Sequence, residues 1–200
     1  MKRPTLEAGF LIRERMKPSL RKWTLTGALI ALSVSLGYAF IAVPNVEMIT
    51  AGIFISGYAL GIKEGFAVGL AAEAIYSGLN PYGMAAPPIF LAQVLSMAVI
   101  GMAGGIMGAR PPKRKLAFIL TLALAGFLGT LLFDVTTTLF YALFIELSRE
   151  TLIGSFLYGL GFYATHLLSN SLIFLTIVPV VIGTLERLGW LPTLGRLENA

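Results

Sequence analysis

Glu73, Asp134 and His166 lie inside long apolar stretches of this sequence. An ionisable group in such a place is expensive to keep, so its default reading is function. Asp134 is followed by Thr136, Thr137 and Thr138, and Glu73 has Tyr76 and Ser77 close by. His166 and Asn170 are spaced i and i+4, so they share one face of a helix, with Tyr163 and Ser169 nearby. Gln93 adds a carboxamide to another apolar stretch. Two readings follow. Asp134 and His166 can form a satisfied pair that fixes two helices against each other. Alternatively, these groups line a polar cavity. Acid–base chemistry by Glu73, Asp134 and His166 is a third use of the same residues.

The motifs for catalysis are poor. One His and no Cys exclude most structural metal sites and the common nucleophile pairs. There is no His-Glu-x-x-His, no Gly-x-Ser-x-Gly and no Walker-type phosphate loop. No cofactor or resident metal is expected. The segments between apolar stretches are more informative. Pro44-Asn45-Val46-Glu47, Asn80-Pro81-Tyr82-Gly83 and the group Glu146, Arg149, Glu150 offer amides, carboxylates and an aromatic ring. A pocket with apolar walls and a few placed polar groups is plausible at their end of the molecule. Turn chemistry alone is the competing reading for the Asn and Pro residues. Glu47, Glu73, Asp134, Glu146 and Glu150 outnumber Arg149 there. Charge complementarity therefore favours a neutral or cationic small molecule over a polyanion.

These residues must be positioned by helices in a membrane. The chain has 200 residues, 56% of them hydrophobic, and a mean hydropathy of +0.83. A spanning helix needs about 20 mostly apolar residues. Six such stretches are read, at 24–43, 46–62, 66–79, 88–108, 116–146 and 152–183. The expected fold class is an all-α membrane protein, one bundle of six transmembrane helices. Long apolar runs without alternation favour helices over a barrel. Of the 15 Lys and Arg residues, only Arg149 falls on the far side of this threading. The others precede the first stretch (Lys2 to Lys22), follow the second (Lys63), cluster at Arg110 to Lys115, or follow the last (Arg187, Arg196). Basic loops mark the cytoplasmic side, so both termini are placed inside. Trp23 and Trp190 suit the interfacial belt. The basic residues read as topology signals and lipid headgroup contacts, not as a nucleic-acid surface.

The organisation expected is a basic cytoplasmic segment at 1–23, a transmembrane substrate-binding domain at 24–183 and a cytoplasmic tail at 184–200. A signal peptide is disfavoured because the first stretch is span-length. Residues 5–22 suit either a short amphipathic helix on the inner leaflet or a solvated tail.

Small residues recur at intervals of four. Gly27, Ala31, Ser35 and Ala39 form a stripe on the first helix. Gly57/Gly61, Gly65/Gly69, Gly101/Gly105 and Gly104/Gly108 repeat the spacing once each. Such grooves let helices approach closely in lipid. The single pairs read as packing within the chain. The longer stripe is equally a candidate for a partner helix.

With these features, the chain resembles the substrate-binding S-components of energy-coupling factor (ECF) vitamin transporters. The resemblance covers nearly the whole chain: its length, six spans, internal termini and the stripe in the first helix. The stripe is a loose match to the family's Ala-x-x-x-Ala coupling motif, since Ser35 stands between Ala31 and Ala39. Further likeness lies in Pro44-Asn45-Val46-Glu47 and in the segment from Gly161 to Asn170. The resemblance implies a multi-pass protein of the prokaryotic plasma membrane that binds a vitamin or related micronutrient from outside. It implies association with a transmembrane coupling subunit and two ATPase subunits, and delivery of the substrate by toppling of the S-component in the membrane. Nickel and cobalt members carry His at the second position. Lys2 stands there in this chain, which disfavours a metal substrate. A non-transport scaffold and an intramembrane enzyme are the alternatives.

Overall fold

The structure is a computed structural model and describes residues 18–191. Among these, six helices follow one another: α1 (Pro18–Ala39), α2 (Ile49–Leu60), α3 (Ile62–Gly78), α4 (Pro87–Ala109), α5 (Lys115–Ile145) and α6 (Arg149–Arg187). α4, α5 and α6 are long and apolar enough to cross a membrane. Ser and Thr dilute the apolar character of α1, while Lys63 and Glu64 occupy the first turn of α3. Helix bounds differ from those read in the sequence mainly where polar residues join a helix end. α1 takes in Arg21 and Lys22, so it crosses the boundary placed at 23/24. α6 runs for 39 residues, through Arg187. Most of the segment considered for an amphipathic helix, residues 5–17, lies outside the described residues, as does most of the C-terminal tail.

Side-chain contacts give the threading. The Lys22 ammonium lies 2.6 Å from Glu64, and Tyr38 packs on Tyr76 with ring centroids 5.1 Å apart. α1 and α3 are therefore parallel. Ser77 meets Gln93 across α3 and α4, Ser96 meets Thr136 across α4 and α5, and Asp134 meets His166 across α5 and α6. These pairs fit α4, α5 and α6 each running antiparallel to the helix before it. Lys22, Lys63, the Arg110–Lys115 cluster and Arg187 consequently gather at one end of the bundle, and Arg149 lies at the other.

α2 is the central helix. It has only 12 residues, about 18 Å at 1.5 Å per residue. Ile49, Ile53, Phe54 and Tyr58 are buried along it. It turns into α3 through Gly61 alone, whose φ of 104° is disfavoured for residues with a Cβ. The glycine pairs close this centre. A Cβ on Gly57 would collide with the Gly101 carbonyl oxygen, and one on Gly65 would sit 2.7 Å from the Cα of Gly57. Gly69, Gly104, Gly105 and Gly108 likewise abut backbone of neighbouring helices. These pairs are internal packing.

The α1 stripe behaves differently. The helix buries Thr26, Ser33, Val34 and Gly37 against its neighbours. Gly27, Ala31, Ser35 and Ala39 are all exposed on the opposite side, and nothing lies within 4 Å of a Cβ built on Gly27. The outer faces of α5 and α6 are also apolar and exposed, including Leu116, Leu120, Leu124, Leu168 and Leu172. An uncovered apolar perimeter of this extent suits lipid contact.

Candidate functional site

The α1–α2 connection is not a simple turn. Residues 40–48 run in overlapping backbone turns, Val43 to Phe40 and Val46 to Val43 among them, and fold back over the bundle. Asn45 adopts a left-handed φ of 58°, which Asn tolerates better than most residues. Its side chain is committed: the carboxamide nitrogen donates to the Phe162 carbonyl at 2.8 Å. Ser169 in turn donates to the Asn45 carbonyl at 2.9 Å. Residues 162, 166, 169 and 170 lie on one face of α6, and that face receives the connection.

Glu47 is the second fastening. One carboxylate oxygen accepts the Thr50 backbone N–H at 2.9 Å, capping the start of α2. The other accepts from the Thr50 hydroxyl and from the Asn170 carboxamide at 3.0 Å. It also lies 3.5 Å from His166 Nε2. His166 Nδ1 sits 2.7 Å from Asp134 Oδ1, so the ring lies between two carboxylates. Phe133 packs edge-on against it, with centroids 5.7 Å apart. The array joins the α1–α2 connection, α6 and α5 in one line. Its members face each other and do not converge on a common point. Among the described residues no group of three or more His, Asp or Glu side chains could hold a metal ion.

Beneath the fastened connection is a cavity of about 240 Å³. Its apolar walls include Phe40, Ile41, Ile49, Met97 and Phe133. Its polar lining brings together eight of the residues singled out in the sequence: Asn45, Glu47, Glu73, Tyr76, Asn80, Tyr82, Gln93 and His166. Among the described residues no Lys or Arg lines it. Tyr82 is 77% exposed and stands at the rim. Asn80 accepts from the Tyr82 backbone N–H at 2.9 Å, so turn chemistry holds that rim. Asp134 and Asn170 are buried one layer behind the wall, where they support His166 and Glu47. Thr137 and Tyr163 line a separate cleft of about 640 Å³ between the far halves of α5 and α6. There Thr138 and Tyr163 share a hydroxyl–hydroxyl hydrogen bond.

Two side chains that sequence reasoning did not place in the site complete it. Thr50 anchors both oxygens of Glu47. Ser77 lies 2.9 Å from Glu73 Oε1 and 2.9 Å from Gln93 Oε1. A hydroxyl has a single proton to donate. Both contacts are satisfied when the Gln93 carboxamide is turned so that its NH2 donates to Ser77 while Ser77 donates to Glu73; such amide orientations follow from the network. The i, i+4 spacing of Glu73 and Ser77 was a usable sequence signal. Their pairing with Gln93 depends on how α3 and α4 cross. Glu73 itself is 2% exposed, and its Oε2 is buried without a hydrogen-bond partner among the described residues.

Comparison with known proteins finds no matching family model, no matching curated protein and no matching solved structure. The functional reading rests on this geometry and on the sequence resemblance.

Proposed function

We propose that the chain is a membrane-embedded binding protein for a vitamin-like small molecule, acting as the S-component of an ECF-type transporter in a prokaryotic plasma membrane. It spans the membrane six times with both termini inside. The observation that carries this reading is the cavity under residues 40–48, with apolar walls, a few placed polar groups and one buried carboxylate oxygen left open. That is the composition of a ligand pocket. The short central helix fits the same picture. An irregular segment at membrane depth is tolerated where it lines a cavity, as Phe40, Ile41 and residues 43–47 do. An enzyme using Glu73, Asp134 and His166 is the weaker reading. Asp134 and His166 are engaged with each other, and Glu73 belongs to a different network.

Thermal stability in detergent, screened across water-soluble vitamins and their precursors, tests the binding function. A true ligand at 100 times its Kd adds about 2.7 kcal/mol. No stabilisation by any compound in such a panel would contradict the proposal.

The threading is tested with the absence of native cysteine. Single substitutions Tyr82→Cys and Arg149→Cys should react with an impermeant thiol reagent from outside. Lys2→Cys and Lys113→Cys should not. The opposite pattern would invert or break the threading.

The exposed stripe supports a coupling role for α1. The Ser35 hydroxyl is satisfied by the Ala31 carbonyl at 2.8 Å, so the stripe presents close-packing surface without an open polar group. Ala31→Leu and Ser35→Leu point away from the bundle and should leave ligand affinity and stability within about 0.5 kcal/mol of wild type. Transport with a coupling subunit and two ATPase subunits should fall at least tenfold, since a bulky side chain holds helices apart. Full transport by both variants would remove the stripe from that role.

A further inference from the structure

Three features of the cavity bear on what it holds. Glu73 Oε2 is unsatisfied in either protonation state: ionised it needs a donor, and protonated it needs an acceptor, and no group among the described residues supplies one. Burying such a group without a partner is costly. Glu47 is not equivalent, because Thr50, Asn170 and His166 surround its oxygens. Among the described residues no Lys or Arg lines the cavity to compensate Glu73.

Resting on the binding function proposed above, we infer that Glu73 is the counter-ion for the ligand, and that the ligand is a small organic cation that donates an N–H to Glu73 Oε2. A protonated amine or protonated nitrogen heterocycle provides both the charge and the donor. The surrounding rings of Tyr76, Tyr82, Phe40 and Phe133 suit it, since aromatic faces attract cations. The size of the cavity narrows the class further. About 240 Å³ is below the roughly 300–1,000 Å³ of pockets for drug-sized ligands, so large conjugated cofactors do not fit. Ser77, itself bonded to Gln93, occupies Glu73 Oε1 and leaves Oε2 to the ligand.

Four probes of one shape separate the possibilities: benzylamine, benzyltrimethylammonium, benzyl alcohol and benzoate. Their affinities are measured on the full chain in detergent by ligand-observed NMR. Wild type should bind benzylamine roughly tenfold or more tighter than benzyl alcohol, the value expected for a hydrogen bond to a charged group. Benzyltrimethylammonium, with charge but no N–H, should fall between them, and benzoate should be weakest. Glu73→Gln should bring the benzylamine to benzyl alcohol ratio close to unity. Equal binding of benzylamine and benzyl alcohol by wild type, or tighter binding of benzoate, overturns the cation assignment while leaving a binding protein in place. Retention of the full benzylamine preference by folded Glu73→Gln also overturns it. Failure of all four probes to bind overturns the binding reading and the assignment with it. The wild-type ranking decides even where the Gln variant does not fold.

Discussion

Asp134→Ala is expected to destabilise the chain by about 3–5 kcal/mol, the cost of cutting a buried ionic pair by removing one partner. The loss follows from the line of contacts it breaks. Asp134 fixes the His166 ring at 2.7 Å, and His166 stands beside Glu47, which fastens residues 40–48 to α6 through Asn170. One truncation on α5 should therefore loosen the cover of the cavity, and ligand affinity should fall with stability. Asp134→Asn keeps an oxygen in place and should cost distinctly less, because the hydrogen bond survives without the charge. Thermal unfolding of the two variants in the same detergent checks this. Equal, small losses for both would show that the Asp134–His166 contact does not hold the bundle.

Gly101→Leu should prevent accumulation of folded protein altogether. At Gly101 the backbones of α2, α3 and α4 meet: its own Cβ position lies 2.6 Å from the Gly65 carbonyl carbon and 3.2 Å from Ile53 Cγ2. Even Gly101→Ala needs the helices to separate. Overpacking of this kind costs about 1–3 kcal/mol and sometimes more. Gly27→Ala is the matched control, since nothing surrounds that position. Helix propensity alone makes it neutral to stabilising by about 0.5–1 kcal/mol. Size-exclusion profiles and unfolding temperatures of the three variants give the comparison. Well-folded Gly101→Leu would contradict the close approach of these helices.

The contrast between Gly101 and Gly27 also shows what the sequence could convey. Spacing of four is written identically in α1, α3 and α4, and it identifies grooves without saying what fills them. Burial separates them: the glycines of α2, α3 and α4 pack on one another, while the α1 stripe remains outside. Helical class and the segregation of basic residues to one end were legible because they depend on composition and local order. The length of α2 was less so. The break at Pro44 and Asn45 is legible in the sequence, with helices ending at 43 and resuming at 46, but residues 40–48 form turns, so that only Ile49–Leu60 is helical.

The site was legible by residue type more than by role. His166 and Asn170 share a face as their spacing required, and both reach Glu47. Asn45, Glu47 and the Asn170 carboxamide nitrogen, read in the sequence as ligand donors and acceptors, hold the cover. Their roles depend on contacts between residues more than 100 positions apart, which local patterns do not encode. Glu73 was marked only by the cost of a carboxylate in an apolar run. What distinguishes it from Asp134, which has one oxygen engaged by His166 and lies behind the wall, is its position on the cavity.

The most direct test of the account is native mass spectrometry of the chain extracted gently from cells grown in rich medium. Wild type should carry one small molecule per chain, and Glu73→Gln should carry none while remaining folded. Ligand-free wild type, or a bound molecule retained unchanged by Glu73→Gln, would contradict the claim that this cavity is the binding site.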